Sequence, residues 1–412
     1  MENQSLLQQK LLDKVFVYTA ETTPPDASDK ETLLKNVMPL KGIADAVNVT
    51  DSPGAKAHMS SLTAAIILAQ NGIDPILQLT VRDRNRLALQ GDLIGASALS
   101  VNNILCLGGD NPKSGDQPEA KIVNDIDSLT LVSTANMMRK EKKFPSGRVI
   151  DPPPKLFIGA AEVPTMGKPD PKKILEKINN GVDFFQTQYV FDAKLLNEYM
   201  KVLGDEGILE KTNFIIGLGP FASAKSARWM NENLFGVDVP DQIIKRLEGS
   251  EDQKEESKKI CIELIEAFRN IQGVKGIHLM GHRKEEIISE MDTTIHHSDD
   301  LTKQIKENSD KFVNTLYDEI NNGLVSFINP ESFIVEVKLS VEHTKWYDST
   351  FISMEYELLD NNQMQLTTNA GTDSSSSGIG TYQLSNTNLT ISMVDTSIMA
   401  DSSKCTIFEL TR

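Results

Sequence analysis

From Val15 to Met280 the chain alternates between short apolar runs that end on polar residues and longer stretches with helical spacing. The first run, Val15-Phe-Val-Tyr-Thr-Ala-Glu21, is β-branched and aromatic, closes on one carboxylate and is followed by Thr-Thr-Pro24-Pro25. Proline has no ladder donor and pushes the residue before it out of the α region, so this run predicts a strand with Glu21 at its exit. Ser28 and Glu31, spaced as a capping box ahead of Leu33-Leu34, predict the helix that follows.

The same rhythm then repeats. Strand-like runs are Ala46-Val-Asn-Val-Thr50, Pro75-Ile-Leu-Gln78-Leu-Thr80, Asn103-Ile-Leu-Cys-Leu107 and Leu156-Phe-Ile-Gly-Ala-Ala-Glu162. Phe184-Phe-Gln-Thr-Gln188, Phe214-Ile-Ile-Gly-Leu-Gly-Pro220 and Gly276-Ile-His-Leu-Met280 complete the set. Helical spacing lies between them, for example over Leu87 to Leu99, Pro171 to Ile178, and Glu256 to Ile271, the last apolar at Ile260, Leu264, Ile265 and Phe268. Eight βα units within about 290 residues is the length of a (β/α)8 TIM barrel. A doubly wound open sheet would carry a Gly-rich turn after the first strand, where this chain has Thr-Thr-Pro-Pro. We therefore expect an α/β barrel over residues 1–292.

A barrel gathers its strand exits on one face. Here that face would collect Glu21, Thr50 with Asp51, Gln78 with Thr80, Asp110, Glu162, Gln188, the turn at Pro220, and Met280 with Gly281. Carboxylates stand on three separate strands, while the six histidines form no exit cluster, so no metal site is expected. His278 reads as a satisfied core residue and His296-His297 as a solvated linker. Taken alone, Glu21 reads as a solvated acid in a loop.

Past Met291 the pattern changes. Residues 301–323 predict one amphipathic helix, apolar at Leu301, Ile305, Phe312, Leu316 and Ile320. Alternating runs follow from Phe333, Phe351, Met364, Thr381, Asn388 and Cys405, with Gly371 to Gly378 reading as a turn or loop. Residues 293–412 are thus expected to form a small antiparallel β-rich domain, with a structural or interaction role.

Composition narrows the function classes. Of 412 residues, 39% are hydrophobic and 24% charged, a globular balance. The net charge is −16, and residues 293–412 hold 17 acids against 7 bases, which excludes a nucleic-acid binder. No apolar run approaches the roughly 20 residues of a membrane span, and Met-Glu-Asn-Gln-Ser lacks a signal peptide's features. Cys106, Cys261 and Cys405 are isolated, so no disulfide framework or cluster motif is expected, and a cytoplasmic location is.

Five stretches in order then resemble one family. They are Ala20-Glu21-Thr-Thr-Pro-Pro25, Val47-Asn-Val-Thr50-Asp-Ser-Pro53, Leu79-Thr-Val-Arg-Asp-Arg-Asn85 with Leu87 to Gly95, Asn103 to Pro112, and Gly181 to Asp192. Over residues 10–291 the chain resembles the methylenetetrahydrofolate reductases, in particular their bacterial branch. The resemblance implies flavin-dependent reduction of methylene-tetrahydrofolate to methyl-tetrahydrofolate. Reduced flavin would pass hydride to an iminium carbon, and Glu21 would be the general acid that opens the folate ring. It further implies a catalytic Asp110 beside flavin and folate, a folate-contacting Gln188, and flavin contacts from Thr50, Gln78, Leu107, Gly109, Asp110, Asp170 and Lys177. FAD is the implied cofactor, ahead of FMN.

The chain also departs from the family pattern. Gln78 stands where many members have histidine, Gly108 where many have arginine, and Ala224 where some have a stacking aromatic, a role that would pass to Phe221. The donor is accordingly left open between NADH or NADPH and a partner such as ferredoxin or a flavoprotein. A homo-oligomer is expected. The rival reading is a barrel without flavin that binds folate or acts as a scaffold.

Overall fold

Alternation along a strand sorts side chains between two environments, and here both are apolar over most of their length. The computed structural model describes residues 4–281 and, further along, five strands between 352 and 411. Eight parallel strands pair in chain order: β1 (Val17–Thr22), β2 (Ala46–Val49), β3 (Pro75–Thr80), β4 (Asn103–Leu107), β5 (Phe157–Glu162), β6 (Phe184–Tyr189), β7 (Asn213–Leu218) and β8 (Val274–Leu279). β1 closes on β8, with Val17 opposite Gly276 and Thr19 opposite His278. The barrel is therefore complete, as its rhythm predicts.

Helices follow the strands: α1 (Leu6–Leu12) precedes β1, then come α2 (Lys30–Val37), α3 (Ser61–Gln70), α4 (Arg86–Ala98), α5 (Ser128–Lys140), α6 (Pro171–Asn179), α7 (Ala193–Asp205), α8 (Ala224–Asn233), α9 (Asp241–Glu248) and α10 (Gln253–Arg269). Outward strand residues such as Val47, Leu77, Ile104, Phe185 and Ile216 meet buried helix residues such as Leu33, Leu68, Leu93, Leu196 and Phe268 in one cluster. A second cluster fills the barrel's lower interior with Val17, Ala46, Ile76, Leu105, Phe157, Phe184 and Ile215. Phe157 and Phe184 stack there at 5.1 Å.

The sequence pattern misses α1. Seven residues are too few for a clear helical period, yet Leu7 and Leu11 join the interior cluster and stop the bottom of the barrel. Asp74 anchors this plug, since its Oδ2 accepts from Leu7 N at 2.9 Å and its Oδ1 from Asn103 Nδ2 at 3.0 Å. Burial pushes the Asp74 carboxyl up to about 6 against these hydrogen bonds. A raised acid pKa favours folding while the group is protonated, so this contribution is complete below about pH 4 and lost as pH rises through 6. The gap between wild type and Asp74→Asn in chemical denaturation is expected to change by about 3 kcal/mol between pH 4 and pH 8. A flat difference across that range would show Asp74 to be already ionised in the fold.

Two local expectations are corrected. The cap of α2 is Asp29, whose side chain accepts from Thr32 N at 2.7 Å, so the Ser28–Glu31 pairing is not used. An aspartate one residue closer to the helix is an equally good acceptor. In the C-terminal unit, Ser375–Leu384 is a strand, so Ser375 to Gly378 are extended where a turn was expected. Four Cα pairs with the preceding strand, Asn369 to Ser375 through Leu366 to Gly378, hold them there.

The chain forms two compact units, Met1–His296 and His297–Arg412. In the second, β9 (Ile352–Leu359), β10 (Gln363–Ala370), β11 (Ser375–Leu384), β12 (Asn388–Met393) and β13 (Cys405–Thr411) pair antiparallel in the order β13-β12-β11-β10-β9. The helix expected over residues 301–323 and the strand expected from Phe333 lie outside the described residues. Among the described residues no helix is long and apolar enough to cross a membrane.

Candidate active site

Inward parity carries the chemistry. Val17 lies in the barrel interior, so Thr19 and Glu21 follow it inward on β1, while Tyr18 and Ala20 face the helices. The same step of two places Asn48 then Thr50 on β2, Gln78 then Thr80 on β3, and Gln186 on β6, where an irregularity between Gln186 and Tyr189 interrupts it before Gln188. Above the apolar plug the interior is thus polar, and it opens upward to a mouth at the strand exits.

Just beneath that mouth lies a buried polar layer. Asn48 Nδ2 donates to Gln186 Oε1 at 2.7 Å, and Gln186 Nε2 donates to Asn48 Oδ1 at 3.1 Å and to Thr19 Oγ1 at 3.3 Å. Thr19 Oγ1 lies 2.9 Å from Nδ1 of His278 and 3.4 Å from the carbonyl of Ile277. The other imidazole nitrogen, Nε2, stands 4.0 Å from Glu21 Oε2. Burial pushes His278 down to about 3, so the ring stays neutral. Sequence reading takes His278 for a core residue and passes over Thr19, Asn48 and Gln186. The available signal was polar residues spaced by two in otherwise apolar strands.

The exits of β2, β3 and β4 are laced together by charge. Asp51 is buried, accepting from Ser61 Oγ at 3.0 Å, Thr80 N at 2.8 Å and Thr80 Oγ1 at 2.9 Å, and it is paired with Arg84. Arg82, also buried, donates to the carbonyl of Asp110 at 3.1 Å. Asp110 itself is exposed, and its Oδ2 accepts from Gly54 N at 2.7 Å, which ties the β4 exit loop to that of β2. Gly109 sits at φ +88°, and a Cβ there would stand 3.0 Å from Arg82 Cβ and 3.1 Å from Thr80 Cβ. Only glycine meets both conditions cheaply, and it leaves the backbone bare beside Asp110.

The far side of the mouth differs from expectation in two places. Glu162 has outward parity and pairs with Lys177 Nζ at 2.9 Å, so it is a partner of α6 and not a third carboxylate of the mouth. The Lys177 ammonium also donates to the carbonyl of Ala161 at 3.0 Å. Asp170 caps α6, accepting from Lys172 N at 3.1 Å and Lys173 N at 3.3 Å. Phe221 is 3% exposed and packs on Phe191 at a centroid distance of 4.6 Å, so its ring belongs to the core. The accessible ring at this rim is Phe235, 73% exposed, whose carbonyl accepts from Gln188 Nε2 at 3.2 Å.

The structure therefore brings Glu21, Thr50, Gln78 and Leu107 to inward positions, with Gln188 at the β6 exit against the Phe235 carbonyl and Gly109 and Asp110 on the β4 exit loop. Asp170 and Lys177 stand at the adjoining β5–α6 edge. Among the described residues no group of three or more metal-ligating side chains occurs.

A (β/α)8 barrel with an acid, amides and bare glycine backbone at its strand exits is of the class of barrel proteins that carry their active site at that face. The methylenetetrahydrofolate reductase family model matches residues 6–296, and the chain belongs to that family. It is 25% identical over 299 residues to methylenetetrahydrofolate reductase 2 of Schizosaccharomyces pombe, covering 65% of this chain and 44% of that protein. A probable methylenetetrahydrofolate reductase (NADPH) of Caenorhabditis elegans is 24% identical over 242 residues, covering 57% of this chain and 34% of that one. The match thus spans less than half the length of these curated relatives. A solved structure of an uncharacterised protein from Clostridium thermocellum, described as binding two copies of 5-methyl-5,6,7,8-tetrahydrofolic acid, aligns at TM-score 0.49 and 20% identity. That alignment covers 71% of this chain and 99% of that chain.

Proposed function

We propose that the barrel is a cytoplasmic reductase that converts methylene-tetrahydrofolate to methyl-tetrahydrofolate with a bound flavin, FAD in preference to FMN. The observation that carries this reading is the inward position of Glu21 at the mouth of a chain that belongs to this family. A bound flavin supplies hydride transfer, which no side chain of the barrel can.

The residues fit such a group. A Cβ at Gly108 would meet nothing within 4 Å, and Gly109 leaves its backbone open, so a flat ring system can approach the β4 exit. Thr50, Gln78 and Leu107 would line it from below, with Asp110 beside it. Lys177 and the neighbouring lysines of residues 168–177 would receive its phosphate end, and Asp170 at the start of α6 would accept from hydroxyls of its ribityl portion.

The chain's own groups then divide the work. Glu21 delivers a proton to the folate ring nitrogen as the ring opens, and takes the charge that remains. The negative charge of Asp110 favours the cationic iminium formed in the folate. Gln188 offers both a donor and an acceptor to the pterin edge. Phe235, in place of the buried Phe221, offers the accessible ring at this rim.

The test is an anaerobic assay of the full chain. Purified protein is expected to show the flavin absorption band, and its reduced form to be reoxidised by methylene-tetrahydrofolate. Bleaching of that band by NADH or NADPH alone would identify a nicotinamide donor. Bleaching only with a ferredoxin or flavoprotein would identify a protein donor. A colourless protein that stays so after reconstitution would overturn the reading in favour of a folate-binding barrel.

A further inference from the structure

At the edge between β5 and α6 a cluster of lysines holds one half-buried carboxylate. Lys168, Lys172 and Lys173 are exposed, whereas Lys177 is held in place. Its Nζ donates to Glu162 Oε2 at 2.9 Å and to the Ala161 carbonyl at 3.0 Å, and lies 5.7 Å from the centre of the Phe185 ring. An ammonium has three donors, so beyond these two bonds Lys177 has a third N–H for an incoming anion. Glu162 ends β5, and its side chain is only 19% exposed. Behind it, burial first and the charge of Glu162 second push the Tyr199 phenol upward, so that hydroxyl stays neutral.

We infer that Glu162 is a specificity-determining residue for the phosphate end of the cofactor, a fixed negative charge that admits a diphosphate diester and works against a terminal phosphate dianion. The inference rests on the reading that Lys177 receives this end of a flavin. Charge balance carries it. A terminal phosphate holds nearly two negative charges once pH is well above 6, whereas each phosphate of a diphosphate bridge holds one. A lone lysine would favour the dianion, because attraction grows with ligand charge. Glu162 shares the same ammonium and cancels that advantage. The greater cost of dehydrating a dianion is then left without compensation, and the diester is preferred.

The neighbouring lysines do not restore the balance. Lys173 is 78% exposed and stands 3.9 Å from Asp170, so water and that acid both screen it. Nor does a role as a brace for α6 account for Glu162. An ion pair that water reaches adds little to stability, and the Ala161 carbonyl holds the same ammonium without it. What the carboxylate changes is the net charge met by a ligand at this edge.

The experiment measures binding of FAD, FMN and riboflavin to the full chain freed of flavin, by titration calorimetry at about pH 8, where the FMN phosphate is a dianion. Riboflavin has no phosphate and reports on the ring alone. Glu162→Gln keeps an acceptor for Lys177 and removes the charge. It is expected to tighten FMN about 10-fold and FAD about 3-fold, and to leave riboflavin unchanged. Glu162→Asp keeps the charge and should keep the wild-type preference for FAD. Glu162→Ala removes the charge without the amide and serves where Glu162→Gln does not fold. Lys177→Gln should weaken FMN and FAD about 10-fold and spare riboflavin, which locates the phosphate. A change at Glu162 that moves all three ligands equally, or none, would overturn the inference. FMN and FAD binding unaffected by Lys177→Gln would overturn it too, with the flavin reading intact. Wild type that binds none of the three would overturn that reading itself.

Discussion

Glu21→Gln is expected to lose folate reduction by roughly 10²–10⁴-fold while keeping its fold, its flavin and its reduction by the donor. Glutamine keeps the shape of the side chain and can still face His278, so neither the β1–β8 closure nor the polar layer is disturbed. What it lacks is a transferable proton. Rapid-mixing kinetics separate the two half-reactions: flavin reduction should match wild type, and reoxidation by methylene-tetrahydrofolate should nearly stop. If both halves slow together, Glu21 holds the flavin or the fold and is not the acid. If neither slows, the proton comes from elsewhere.

Gly276→Ala should be among the most damaging small substitutions in the barrel. A Cβ at Gly276 would stand 2.4 Å from Val17 Cγ2 and 2.4 Å from the Val17 carbonyl oxygen. The side chain could be trimmed away, but the oxygen belongs to the strand that closes the barrel. Relief therefore means moving β1 from β8, and we expect a loss of about 3 kcal/mol in chemical denaturation. Val17→Ala added to Gly276→Ala should recover only part of it, because the carbonyl clash persists. Gly91→Ala is the control: a Cβ there meets nothing within 4 Å on the exposed side of α4, and it should gain up to about 1 kcal/mol. Because Glu21 and His278 sit on the two strands being parted, the Gly276 variant should also lose folate turnover beyond what its unfolded fraction explains.

Phe235 gives a milder check on the rim. Phe235→Ala is expected to weaken folate binding about 10-fold with flavin content unchanged, by analogy with the loss of one stacking ring. Equal titration curves for variant and wild type would place the ligand away from this loop.

Much of the barrel was legible in advance, because the period of two and the longer helical period are local properties of the chain. The eight strands from Val17 to Leu279 are found where apolar runs meet polar exits, and Glu21, Gln78 and Asp110 stand at or just beyond them. Facing is another matter. Glu21 and Glu162 look alike in the sequence, each closing an apolar run, yet one is inward and the other pairs with Lys177 outside the barrel. One step along a strand reverses the direction of a side chain, and the barrel's closure decides which parity faces in. Phe221 and Phe235 show the same division. Both are aromatics after the seventh strand, and only packing against Phe191 makes the first a core residue.

By itself, then, the sequence determined the alternation of elements, the barrel that they build and the residue types at its mouth, since these follow from side-chain period and strand-stopping residues. Tertiary structure decided which of those residues meet. Glu21 and His278 are 257 positions apart and become neighbours only because β1 pairs with β8. The acid's surroundings, and with them the use to which it can be put, arise from that closure.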